Sequence, residues 1–139
     1  MILRFTRAAL FAACLTALAF SVPAAEPVAR GFQNRVFTDA EGNAHPFVIF
    51  VPAKFEPGSK PPAMLFLHGA GERGANNIDQ IMVGLGPAIW KRKGTFPFVT
   101  VIPQCRIGSN WLADGPDAKW ALAMLRQTEK EFGTDPARV

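Results

Sequence analysis

The sequence is poor in the residues on which metal, nucleotide and disulfide chemistry depend. It has two cysteines and two histidines, and no Cys/His spacing of the kind that holds zinc. It also lacks a Walker loop and a G-x-G-x-x-G turn, so no metal, nucleotide or other cofactor is expected. Cys14 falls in an apolar N-terminal run, which leaves Cys105 alone in the remainder. A single cysteine cannot close an intrachain disulfide, so Cys105 is free, buried, or paired outside this chain. Charge is sparse as well: 19% of residues are charged and the net is +4. Setting aside Arg4 and Arg7 leaves 13 Lys and Arg against 11 Asp and Glu, a net of +2, which gives no footprint for nucleic acid. The one basic run, Lys91-Arg92-Lys93, falls where a helix should end and complements its dipole there.

What is present is a globular composition, 49% hydrophobic over 139 residues, enough for one domain. The first residues are read separately. Arg4 and Arg7 precede an apolar run from Ala8 to Phe20, and the small residues Val22, Ala24 and Ala25 follow. This is the pattern of a secretory signal peptide, residues 1–24, cleaved after Ala24 with Ala25 and Ser21 as rival positions. Two alternatives remain: a membrane anchor, since the uncharged run approaches the roughly 20 residues of a span, and lipidation at Cys14. Pro23 weighs against the first, and the short apolar run before Cys14 against the second. The expected product is exported, to the periplasm or beyond, with no stable membrane span after cleavage and residues 25–139 as its folded part.

The order of elements follows from hydrophobic pattern. Val36–Phe37 and Phe47–Val51 are β-rich and flank Asp39–Asn43, a stretch with turn chemistry, which predicts an antiparallel hairpin. Ala63–Leu67 is apolar without alternation, the mark of a strand buried on both faces, and so is Phe98–Ile102 before Pro103. Between them, Asn77 and Gln80 resemble a capping box, and Ile78, Ile81, Met82 and Leu85 recur at helical spacing. Gly84, Gly86 and Pro87 should interrupt that helix and start a second short one ending near Lys93. Asp117 is placed to cap a last helix, with Trp120, Ala121, Met124, Leu125, Thr128 and Phe132 on one face and Gly133 at its end. The fold class is therefore α/β, a hairpin leading into a mostly parallel sheet with flanking helices.

In such a sheet, ligands bind beyond the carboxyl ends of the strands, where His68-Gly69-Ala70-Gly71-Glu72-Arg73-Gly74 leaves the first buried strand. Three glycines let the backbone approach a substrate and turn its amides outward; they also suit a plain strand-to-helix turn. The string from Leu65 to Gly74, with Asn76 and Asn77 after it, closely resembles the oxyanion-loop region of α/β-hydrolases of the phospholipase/carboxylesterase-like branch. The resemblance continues through Pro103-Gln104-Cys105 and Trp111 to Phe132-Gly133-Thr134-Asp135-Pro136. It implies that the Ala70 amide forms part of an oxyanion hole, with Gly71 as a second donor. It also implies that the catalytic order is serine, acid, histidine, so His68 stands too early to be the base and is expected to support the loop together with Gly69. His45, in the hairpin, is expected at the surface. Arg73 and Trp111 are weaker candidates for substrate contact: Arg73 beside Glu72 either pairs within the fold or meets a polar substrate, and Trp111 either lines an acyl pocket or packs.

The family's nucleophile sits in a G-x-S-x-G elbow. Beyond the leader only Ser59 and Ser109 occur, neither in that setting, and Cys105 has no histidine placed to activate it. The resemblance thus implies a chain cut before its nucleophile, acid and base, in keeping with the roughly 200 to 250 residues such a domain needs. The intact protein is expected to be a serine esterase acting on small-molecule or lipid-like esters. A prolyl-oligopeptidase-like peptidase and a non-catalytic exported remnant or binding module are the alternatives.

Overall fold

The structure is a computed structural model, and it describes residues 28–139. The leader, its cleavage position and Cys14 lie outside the described residues. Four strands form one sheet in the order β1-β2-β4-β3, with β1 Gly31–Thr38, β2 Ala44–Val51, β3 Ala63–Leu65 and β4 Val99–Pro103. Three helices accompany it, α1 Asp79–Met82, α2 Leu85–Lys91 and α3 Pro116–Phe132. The sequence of hairpin, strand, helix, strand, helix is the one expected of the N-terminal part of an α/β-hydrolase. Among the described residues two pairings are antiparallel, β1 with β2 and β2 with β4, and one is parallel, β3 with β4.

The hairpin is longer than its two apolar kernels because its turn is strongly organised. The Asp39 carboxylate accepts the amides of Glu41 and Asn43 at 3.1 and 2.7 Å, closing an Asx-type turn, and pairing then runs from Thr38 opposite Ala44 to Gly31 opposite Val51. β2 has no polar residue from Phe47 to Val51 because both its faces are covered. Phe47, Ile49 and Val51 join Val99, Val101, Met124, Leu125 and Phe132 on the α3 side. Val48 and Phe50 join Ile89 and Ile102 on the side of α1 and α2. This period of two, read on an uninterrupted apolar strand, is what places one core on each face of the sheet.

α3 starts at Pro116, which suits the first helical turn, and ends at Gly133 with φ +58, the left-handed conformation that glycine adopts without strain. Asp117 is not its cap. The side chain turns to the 105–109 loop instead, because a guanidinium and a hydroxyl wait for it there. On the other face the helix splits: Gly84, at φ +63, separates α1 from α2. α1 is only four residues long, so the expected face divides, Ile81 and Leu85 reaching the core while Ile78 and Met82 stay exposed. Nor is there a capping box, since Asn76 and not Asn77 accepts the first amides, those of Ile78 and Asp79.

After α3 the chain returns along the outer edge of β3. The Asp135 amide donates to the Pro61 carbonyl and the Ala63 amide to the Arg138 carbonyl, both at 3.0 Å. The carboxyl ends of β3 and β4 therefore open on the same side, and the loop after each meets the other there.

Candidate active site

The loop that follows β3 is tied at its base through His68. Its Nε2 accepts the Cys105 amide at 2.9 Å, so the proton sits on Nδ1, which is 2.6 Å from the Gly69 carbonyl and donates to it. The Trp111 indole N–H donates to the His68 carbonyl at 2.8 Å, and the two rings meet edge to face at 5.2 Å. His68 is buried, with the Glu72 carboxylate 3.9 Å from Nδ1. Both of its nitrogens are engaged with these groups and neither points to a hydroxyl. Trp111, half-buried, closes the base of the loop from the far side of β4.

A second tie holds the end of the loop. Gln104, buried at the end of β4, donates through its amide nitrogen to the Glu72 carbonyl and to Asn76 Oδ1, each at 3.0 Å, and accepts the Asn77 amide at 2.9 Å. The Gly74 amide donates to the Cys105 carbonyl at 2.9 Å. A Cβ at Gly74 would stand 3.0 Å from the Gln104 amide nitrogen, so the glycine lets this tie close without the glutamine giving way. Asn77, in the left-handed region at φ +58, turns its side chain to the Phe47 carbonyl and to Gln80. One glutamine amide thus satisfies three groups of a loop whose own backbone makes no sheet.

Between the two ties the crest is a single 3-10 turn, Ala70–Glu72, with Gly69 extended before it. The leading amides of a helical turn have no acceptor within it, and Ala70 and Gly71, which lead this one, are both exposed. Beside the crest lies a cavity of about 230 Å³ lined by Phe66, His68, Gly69, Glu72, Val83 and Gly84. Of the residues singled out by sequence, His68, Gly69, Ala70, Gly71 and Trp111 come together at this loop. Arg73 does not pair with Glu72; its charge acts on the Cys105 thiol instead, in the direction that lowers it. Cys105 is free and buried, and burial followed by the Asp117 charge outweighs Arg73 and Ser109, so its thiol is pushed up. That direction is opposite to the one a nucleophilic thiol needs.

Ser109 is held by Asp117, which also receives the Arg106 amide at 3.0 Å and its guanidinium at 2.9 Å. Burial raises the Asp117 carboxyl, but Arg106 and Ser109 outweigh it and keep it below the usual carboxylate range. Arg106 in turn lies 4.5 Å over the Trp120 ring. His45 stacks on Trp120 at 3.7 Å and donates to Asp39 at 2.8 Å, so it is a packed residue and not a surface one. The Asp39 carboxyl is lowered to about 2, chiefly by His45 and further by the Asn43 amides. No histidine touches Ser59 or Ser109 among the described residues, and no group of His, Cys, Asp or Glu among them is arranged to hold a metal ion.

Gln104, Asn76 and Asp117 carry most of this scaffolding, and sequence reading assigned them no such role. The signal available was slight: a glutamine directly after a buried strand, where its amide has no turn of its own to serve. No family model matches the chain, and no curated protein sequence matches it. Among solved structures, the crystal structure of a thermostable esterase is similar, with 29% sequence identity and a TM-score of 0.65. The match covers 75% of this chain and 32% of the esterase, so the chain spans about a third of that protein's length. The described fold is accordingly an esterase-like α/β fold, of the kind expected for the N-terminal part of an α/β-hydrolase.

Proposed function

We propose that this chain supplies the oxyanion loop of an exported serine hydrolase that acts on carboxylic esters through an acyl-enzyme, with nucleophile, acid and base lying outside these residues. The observation that carries the reading is the loop itself: tied at His68 and Gln104, with Ala70 and Gly71 exposed at its crest and a cavity lined by the flanking Gly69 and Glu72. Rigid donors aimed at a developing oxyanion need no reorganisation during reaction, which is where such sites gain their effect. The likeness to an esterase supports the class of reaction. The cavity, lined by Phe66 and Val83 together with Glu72, suits a small or lipid-like acyl group.

The reading makes a sharp demand on one amide. Gly69 has φ −78 and ψ −176, a conformation that accepts a following proline, and position 70 opens a helical turn, where proline fits. Ala70→Pro therefore removes the amide hydrogen and leaves the fold in place. In the polypeptide read from the gene through its own stop codon, this change should lower kcat for p-nitrophenyl esters on the order of 10²- to 10³-fold with an unchanged melting temperature. The 139-residue chain alone should show no turnover above a denatured control. Robust activity of that chain, blocked by a serine-directed phosphonate, would overturn the assignment of the nucleophile, and full activity in Ala70→Pro would overturn that of the oxyanion donor.

A further inference from the structure

α1 and α2 carry an apolar surface that no other described residue covers. Met82 is 64% exposed, Trp90 62% and Val83 52%, although each belongs to a residue type that folding ordinarily covers. Met82 and Trp90 line a groove of about 490 Å³ that reaches Phe32 of β1, and a second depression of about 390 Å³ continues it past Trp90 to Arg30. The groove lies over the β1 side of the sheet, at the opposite edge from β3, and so away from the edge along which the chain returns after α3.

The charge around this surface has one sign. Lys91, Arg92 and Lys93 follow Trp90 directly and are exposed, and Lys93 holds its ammonium 4.2 Å over the Trp90 ring. None of the three takes part in a salt bridge among the described residues. Asp79, at the start of α1 and bonded to Asn76, is the one acidic residue on these helices, and between it and Asp114 the sequence has no other. An exposed indole with aliphatic neighbours, rimmed by unpaired lysine and arginine, matches the layering of a lipid bilayer surface, apolar below an anionic headgroup plane. A protein partner would also accept the apolar part, but an unopposed basic rim on three consecutive residues favours a surface of continuous negative charge.

We infer that the α1–α2 face is a docking surface for an anionic phospholipid bilayer, with Trp90, Met82 and Val83 entering the interface and Lys91, Arg92 and Lys93 at the headgroups. The docking does not depend on the chemistry of the loop after β3. Because Val83 also lines the cavity beside that loop, a docked chain presents the cavity to the lipid surface.

Trp90 provides a local reading in the full chain, because residues 1–27 contain no tryptophan. The fluorescence difference between the native chain and Trp90→Phe isolates its signal from Trp111 and Trp120. With vesicles of phosphatidylglycerol brominated on the acyl chains, this difference signal should be quenched and shifted to the blue. Brominated phosphatidylcholine should leave it nearly unchanged, and high salt or the triple change K91E/R92E/K93E should abolish the quenching by phosphatidylglycerol. Sedimentation of the chain with the vesicles while Trp90 remains unquenched would overturn the inference, since another segment would then be the anchor. So would equal quenching by both lipids, or a Trp90 already blue-shifted without lipid in a manner that grows with protein concentration, which would assign the face to a second copy of the chain.

Discussion

The two faces of the sheet are covered in opposite ways. On one, a single 17-residue helix lays Ala121, Met124, Leu125, Thr128 and Phe132 onto β3 and β4, with Gly133 as a clean stop. On the other, a glycine at φ +63 breaks the cover into pieces of four and seven residues, which bury Ile89 and leave Met82, Val83 and Trp90 outside. The long helix converts nearly all its apolar face into core. The broken pair spends part of its apolar surface elsewhere, lining the cavity by the loop and the groove beside Phe32. Interrupting a helix costs burial, and what it gains is an apolar wall close to the carboxyl ends of the strands, where an α/β sheet places its ligands.

Truncation on the continuous face tests this contrast most strongly. Phe132→Ala removes a buried ring that meets Phe55 edge to face at 5.6 Å, and urea unfolding should register a loss of about 3–5 kcal/mol. On the broken face the critical position is Gly86, where an added Cβ would stand 1.9 Å from the Ile81 carbonyl oxygen. Gly86→Ala should therefore cost about 3 kcal/mol by forcing α1 and α2 apart, and an unaltered unfolding midpoint would show that the break is softer than it is drawn.

Smaller effects belong to the polar connections. Gln104→Leu keeps the volume but strands the Asn77 amide and the Glu72 carbonyl, a loss of about 1–3 kcal/mol. Hydrogen exchange at Gly74 and Asn77 should quicken well before the amides of β2 do, because the loop loses its tie while the sheet keeps its core. The mildest effect is on acid stability. Asp39, ordinarily at 3.8 and held at about 2 in the fold, contributes stability that is complete above the ordinary carboxylate value and is lost as pH falls toward 2. Asp117 and Asp135 are also lowered and add to the same limb. Asp39→Asn should lower the neutral plateau of the unfolding midpoint and flatten part of its acid limb, because the lost contribution is the one present at neutral pH; an unchanged limb would detach the hairpin turn from that titration.

Strands and the long helix were legible because their signals are local. The uninterrupted apolar run before Pro103 announces β4, buried at every position, and the spacing from Ala121 to Phe132 with a closing glycine announces α3. The run from Ala63 to Leu67, expected to be buried on both faces, gives only a three-residue edge strand, half-buried at Met64 and Leu65, with Leu67 exposed. The split of the first helix was also readable, at Gly84, Gly86 and Pro87. Its consequence was not, since whether Ile78 and Met82 reach the core depends on how far each short piece rotates before the chain breaks. The ties of the loop were hidden for a different reason: His68 and Cys105 are 37 residues apart, and Gln104 and Glu72 are 32 apart. Asp117 shows the same limit, a residue with capping chemistry that was drawn off by Arg106 and Ser109.

The sequence by itself determined the order of the elements, the glycine-rich crest between His68 and Gly74 and the place of that crest after an apolar strand, because patterning and backbone permissiveness act over a few residues. Only the tertiary structure decided how the crest is held. Its geometry is set by hydrogen bonds from the end of β4, and burial of those polar groups enforces the pairings across distances that no local pattern records.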